Sequence, residues 1–343
     1  MRNHSTYPSD SGCTARNAAS PLRACFIPLI VCLVLALGGM AQAAANWPQR
    51  PITVYIPLGA GDSSDLFVRL ITPHMEKFLG QPLVLVNKPG SGGAVAIAAL
   101  SRAEPDGYTM SWANLPTLSI LPQMRKLTYD ETRLVYVATP LQYEYILYVS
   151  SKSPYTTLRE LLDAARKDPQ AIRYGTPGQG TTNHLGMAWL AAHEKAHMTN
   201  VPFEGNPKAI SAVAGGHCEA VNTSVTASVS PYQAGLVRPL AVFSDFRVSM
   251  LPDTPTLKEL GYNFSQYSCM GAVFPSGTPE DIRKRMEDAI RFAVEQPDVR
   301  QRAADTLHAK IVFRNGADYK RLCEDYRLIW GKVLKEVGLK REN

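Results

Sequence analysis

Two short stretches of this chain carry small, donor-rich residues at the junction of a strand and a helix. Residues 52–57 predict a buried strand, and Gly59-Ala60-Gly61-Asp62-Ser63-Ser64 follows it before a helical pattern starts. Far downstream, residues 172–176 predict a second short strand, and Gly178-Gln179-Gly180-Thr181-Thr182-Asn183 leads into another helix. Such a turn gathers backbone N–H groups into a hollow, with the positive end of a helix dipole behind it. Neither stretch has the spacing of G-x-x-x-x-G-K-[ST] or of G-x-G-x-x-G, so neither reads as a nucleotide loop. One hollow in each half of the chain predicts two lobes gripping one small polar ligand.

Candidate ligand groups follow from this pattern. The backbone N–H groups of residues 59–64 and 180–183 would hold the polar end of the ligand, and Gly178 shapes the second turn. Ser63, Ser64, Thr181, Thr182 and His184 would add side-chain hydrogen bonds, and Leu58 and Phe203 would form apolar walls. Gly59, Ala60, Gly61, Asp65, Gly180, Asn183 and Thr223 complete the expected lining.

Asp62 admits two readings. Facing a bound carboxylate at about 4 Å, its charge would cost roughly 4 kcal/mol at an effective dielectric near 20, about a thousandfold in affinity. A site with Asp62 in the cleft therefore favours a ligand bearing an amine or amide. Alternatively Asp62 caps the following helix, where it contributes about 1 kcal/mol. Asp62-x-x-Asp65 has the spacing of a capping box, although Asp65 is not the preferred Glu or Gln.

Two other patterns suggest catalysis. His193-Glu194-Lys195-Ala196-His197 is a literal H-E-x-x-H, which on a helix binds zinc through both imidazoles and uses the glutamate as base. Here it falls where the helical pattern runs out, because residues 198–202 must already leave as a strand. His197 is then expected outside the helix, with the imidazoles diverging. Gly61-Asp62-Ser63, with Asp305 and His308 near the end, has the order of a serine hydrolase. It lacks recognisable oxyanion donors, and Asp305 and His308 read as a helix end before a strand at 310–313.

The elements that position these residues alternate between strand and helix. Strands are expected at 51–57, 83–86, 108–112, 134–138, 143–149, 172–176, 219–223, 239–243, 267–274 and 310–313. Helices are expected at 62–79, 94–103, 157–167, 181–194, 207–214, 279–294 and 317–337. Near-continuous apolar strands between helices imply an α/β fold, a mostly parallel sheet covered on both faces. Residues 150–154 read as the crossover into a second lobe.

Composition sets outer bounds. The 343 residues allow two α/β domains. The net charge of +6 comes without a block of lysine or arginine, so nucleic acid is not an expected partner. Arg2, Arg16 and Arg23 precede an apolar run at 26–37 and Ala41-Gln42-Ala43, the pattern of a cleaved export signal over residues 1–43. Cys218, Cys269 and Cys323 remain after cleavage. They lack C-x-x-C spacing, and export makes a Cys218–Cys269 bridge feasible. No cofactor is called for.

Four stretches carry a family resemblance. They are Asn87-Lys88-Pro89-Gly90-Ser91-Gly92-Gly93, Pro105-Asp106-Gly107-Tyr108-Thr109, Val201-Pro202-Phe203-Glu204-Gly205 and Leu251-Pro252-Asp253-Thr254-Pro255-Thr256. With their spacing, the chain resembles the solute-binding receptors of tripartite tricarboxylate transporters (the Bug or TctC-like proteins). The resemblance runs from Trp47 to the last helix. It implies a type II periplasmic-binding-protein (Venus flytrap) fold: lobe 1 at 46–149 plus 267–343, lobe 2 at 150–266, and a cleft lined by 58–65 and 178–184. It also implies a periplasmic monomer that is not an enzyme, closes on a small carboxylate, amino acid or related amide, and delivers it to permease subunits. This chain departs from the family at Asp62, where glycine is usual, at Glu204, where lysine is frequent, and at Thr223, where aspartate is frequent. A secreted zinc hydrolase using His193, Glu194 and His197 is the alternative. A ligand sensor for a membrane kinase is a second, with the same fold and a different output.

Overall fold

The structure, a computed structural model, describes residues 47–341. The expected export signal lies outside the described residues. Ten strands follow in chain order: β1 (Ile52–Ile56), β2 (Leu83–Asn87), β3 (Thr109–Asn114), β4 (Leu134–Ser150), β5 (Arg173–Thr176), β6 (Thr199–Pro202), β7 (Ala220–Ser224), β8 (Val237–Val242), β9 (Tyr267–Pro275) and β10 (Lys310–Asn315). The helices are α1 (Ser63–Leu79), α2 (Ala94–Leu100), α3 (Leu115–Ser119), α4 (Leu121–Met124), α5 (Leu158–Lys167), α6 (Thr182–His193), α7 (Asn206–Ala214), α8 (Val225–Gln233), α9 (Glu280–Glu295), α10 (Pro297–Asp305) and α11 (Gly316–Glu336).

The strands run in the order β2-β1-β3-β9-β4-β7-β5-β6, with β8 and β10 also on β4. β1 pairs in parallel with β2 and β3, and β5 pairs in parallel with β6 and β7. All partners of β4 are antiparallel to it. This gives two parallel α/β halves joined through one long antiparallel strand. Up to Glu144, β4 pairs with β9; from Tyr145 onward it pairs with β7, and from Ile146 with β8. The change of partner comes ahead of the crossover expected at 150–154.

The sequence pattern reads β4 as two strands, 134–138 and 143–149, because Pro140 lies between them. Proline has no N–H to give the ladder and normally ends a strand. Here the register against β9 slips between Ala138 and Leu141, and this bulge absorbs Pro140. α8 was not expected, since Pro231 and several Ser and Thr residues mask its helical pattern.

Each half has its own apolar centre. Ile97, Leu100, Leu115, Leu118, Tyr319, Tyr326 and Trp330 pack in the first, and Ile146, Tyr148, Ile210, Val213, Val221 and Val242 in the second. Cys269 and Cys323 belong to the first cluster and Cys218 to the second. All three are free and buried, so the Cys218–Cys269 bridge is not formed.

Gly271 on β9 lies under Tyr319 of α11, whose hydroxyl donates to Ala113 O at 2.9 Å. A Cβ there would come within 2.6 Å of Ala138 O and would also strike the tyrosine ring. Gly271→Ala is expected to cost about 3 kcal/mol of stability, read as a lowered denaturation midpoint at unchanged m-value.

Candidate functional site

Four helices of the two halves begin at one point. α1 starts at Ser63 after the first glycine turn, and α6 starts at Thr182 after the second. α7 starts at Asn206 after Gly205, and Ser224 caps α8. Residues from all four helix starts line a single cavity of about 30 Å³, together with Asn114 and Pro116 at the start of the short α3 and with Leu58, Gly92, Tyr143, Tyr145, Pro177 and Ser268. The arrangement follows from the fold, since α/β units leave strand ends and helix N-termini on one edge of their sheets. Each N-terminus brings unpaired N–H groups and about half a positive charge, so the cavity favours an anionic or strongly accepting group.

The walls are tied to each other across this cavity. The backbone N–H and the side-chain amide of Asn206 donate to Asp62 Oδ2 at 2.9 and 3.0 Å. Asn206 Oδ1 accepts from Thr223 Oγ1 at 2.9 Å and from Asn183 Nδ2 at 3.1 Å, which turns its NH2 toward Asp62. The hydroxyls of Ser63 and Ser224 are hydrogen-bonded to each other. Gly59 N donates to Glu204 O at 3.3 Å. At the rim two glycine backbones meet: a Cβ on Gly178 would lie 2.9 Å from Gly92 N, and both residues have positive φ.

Asp62 therefore does both things considered for it. Its Oδ1 accepts from Ser64 N and Oγ, each at 3.4 Å, a weak cap for α1. The residue also lines the cavity, and its Oδ2 takes the two shorter bonds from Asn206. Burial pushes the Asp62 carboxyl above the usual carboxylate range, and the bonds from Asn206 and Ser64 only partly offset this. Burial, and then the Asp62 charge, push the neighbouring Tyr143 hydroxyl far up. Tyr145 is also raised, chiefly by burial. Both are neutral walls.

The expected residues divide into three groups. Leu58, Asp62, Ser63, Ser64, Thr181, Thr182 and Asn183 line the cavity. Gly178 and Phe203 line an outer recess of about 500 Å³ with Ser91, Arg125, Glu204 and Lys208. The others support the walls. Gly61 N donates to Asp65 Oδ2 at 2.9 Å, with Gly61 at φ 77°. Burial raises Asp65, but bonds from Arg69, Gly61 and Asn87 outweigh it and hold its carboxyl low. His184 turns away from the cavity: Nδ1 accepts from Gly180 N at 3.2 Å, and the ring stacks on Tyr174. Thr223 acts through Asn206, and the Glu204 carboxylate pairs with Lys208 at 2.5 Å outside the cavity. Ala60 is exposed.

Asn206, Ser224, Tyr143, Tyr145, Asn114 and Ser268 were not anticipated as lining. Asn206 and Ser224 do repeat the signal that marked the two glycine turns, a small polar residue between a strand and a helix. The tyrosines carry no such signal, because β4 reads as core.

The catalytic patterns come apart. α6 ends at His193, whose ring stacks on Trp189 with centroids 4.9 Å apart. Lys195 turns the chain with φ 51°, leaving His197 beyond the helix as expected. Among the described residues no three His, Cys, Asp or Glu side chains are placed to hold a metal. Asp305 closes α10 and His308 lies in the turn before β10. A larger open groove of about 770 Å³ runs between β4, α9 and α11, lined by charges of both signs.

Comparison with known proteins agrees with this geometry. The profile of the tripartite tricarboxylate transporter family receptor matches residues 67–339. The chain belongs to this receptor family. The UPF0065 protein in the gbd 5' region of Cupriavidus necator is 36% identical over 309 residues, 89% of this chain and 93% of that protein. MatC from Rhodopseudomonas palustris, solved with bound malate, is 28% identical with a TM-score of 0.80, covering 84% of this chain and 100% of that one. An R. palustris protein solved with adipate is 26% identical with a TM-score of 0.81, covering 85% and 98%. The fold is thus that of two-lobe α/β periplasmic binding proteins, and the family is one of solute-binding receptors.

Two pH effects follow. The raised carboxyl of Asp62 lends stability that is complete below the unfolded value near 3.8 and lost as pH rises through its folded value. Asp62→Asn should therefore be more stable than the parent at pH 7 by about 1 kcal/mol, and the gain should vanish near pH 4 in denaturant titrations. His184 runs the other way: burial lowers it from 6.5 to about 4. Its contribution is present above 6.5 and declines as pH falls toward 4, by up to about 3 kcal/mol. His184→Gln should flatten that acid loss.

Proposed function

We propose that this protein is a periplasmic receptor that closes two lobes around a small polar metabolite. The ligand is a carboxylate, amino acid or related amide, delivered unaltered to the permease subunits of a tripartite tricarboxylate-type transporter. One observation carries this reading: four helix N-termini from two separate α/β halves converge on one cavity. The two R. palustris relatives hold carboxylates, adipate and malate, which supports a carboxylate-binding site. The Ser63 and Thr182 hydroxyls and the N–H groups of α1 and α6 would hold the carboxylate.

A cavity of about 30 Å³ has room for one or two water molecules, so a metabolite enters only when the walls part. We take the lobes as 48–149 with 267–341, and 150–266. The hinge is where β4 exchanges β9 for β7, near Tyr145, and where the chain returns at Tyr267. Opening breaks the Asp62–Asn206 and Ser63–Ser224 bonds; on closure the Asp62–Asn206 pair re-forms, and ligand bonds take the place of the Ser63–Ser224 bond.

Thermal unfolding of the exported protein against small mono- and dicarboxylates, amino acids and nicotinamide-type amides tests the reading. One class should raise the melting temperature progressively with the logarithm of its concentration, equivalent to about 2.7 kcal/mol of added stability at a hundredfold excess over Kd. Ser63→Ala and Thr182→Ala should each weaken binding roughly tenfold. A panel without any stabilising ligand, or binding unchanged in both variants, would refute it.

A further inference from the structure

Among the described residues lining the cavity, Asp62 alone carries a formal charge; the rest are hydroxyls, amides, glycine, prolines and apolar groups. Its carboxylate is 1% exposed. Asn206 holds Oδ2 with two bonds of 2.9 and 3.0 Å, and Thr223 and Asn183 fix that amide in turn. Asp62 thus occupies the N-terminus of α7 with an anion belonging to the protein itself. Oδ1 is left with two 3.4 Å contacts from Ser64, long for a carboxylate. The starts of α1, α6 and α8 remain for a ligand's own anion.

We propose that Asp62 sets the specificity of this receptor for solutes that pair a carboxylate with an ammonium group, and against dianions. This rests on the receptor reading above. The solute carboxylate lies among the N–H and hydroxyl groups of Ser63, Ser64, Thr182 and Ser224. The ammonium, a donor of three hydrogen bonds, meets Asp62 Oδ1. Tyr143 and Tyr145, both neutral, close that side. A second solute carboxylate in the same place would face Asp62 in a buried site, with no lysine, arginine or histidine among the lining residues to offset it. At roughly 6 Å and an effective dielectric near 20, that repulsion corresponds to about a hundredfold in affinity.

Calorimetric titration at neutral pH with matched pairs tests this: γ-aminobutyrate against succinate, β-alanine against malonate, and glutamate against glutarate. In each pair that binds, the ammonium-bearing member should bind about a hundredfold tighter. In Asp62→Asn and Asp62→Gly the ratio should fall to within about threefold, chiefly by tighter binding of the dianions. The asparagine variant keeps an acceptor for Asn206, and unfolding curves show that each variant is folded. A parent that binds succinate, malonate or glutarate as tightly as its partner, or a preference that survives in both variants, overturns the proposal and leaves the receptor reading intact. Binding of no member of any pair by parent or variants overturns the proposal, and only failure of the whole panel above overturns the receptor reading.

Discussion

The two halves of this protein meet through a buried carboxylate held by one asparagine. Asp62 belongs to the turn before α1, and Asn206 is the first residue of α7, 144 positions away in sequence. Their two hydrogen bonds have neutral donors at a helix N-terminus and partly offset the cost of burying the charge without a basic partner. Thr223 and Asn183 leave the Asn206 amide one orientation only. Removing any member of this network would leave a buried polar group unsatisfied, which costs more than one surface bond. The position of α7 against α1, and with it the shape of the cavity, depends on this contact.

The same contact explains a tension in the site. Convergent helix dipoles favour an anion, and the protein supplies one from its own chain. On the proposal above, such a receptor resists closing on a second negative charge. It would exchange internal hydrogen bonds for ligand bonds, so that affinity is the difference between two similar sets of interactions. Glu204, which also departs from the family pattern, takes no part, because its carboxylate is exposed and paired with Lys208.

The shared strand β4 makes the two halves one structure. It pairs with β9 over its first part and with β7 and β8 over its last. This change of partner within a continuous strand keeps the backbone hydrogen-bonded on both sides of it. The bulge at Pro140 falls in the first part and bends the strand ahead of that change.

Local chemistry made much of this protein legible. Strand–glycine–hydroxyl–helix turns, apolar strands between helices, and the early end of the helix that carries His193 follow from backbone sterics, capping and periodicity, all of which act over a few residues. Those turns were enough to nominate Ser63, Ser64, Thr181, Thr182 and Asn183 beside one another. Which way Asp62 and His184 point was decided by partners far away in sequence: Asn206 for the first, the Gly180 turn and Tyr174 for the second. The roles of Tyr143 and Tyr145 also came only with the folded chain, because a residue inside a core strand carries no local mark of the cavity it will face. Short-range forces choose the elements and their ends. Long-range packing chooses which polar groups meet, and the meeting of Asp62 with Asn206 exists only once both halves are assembled.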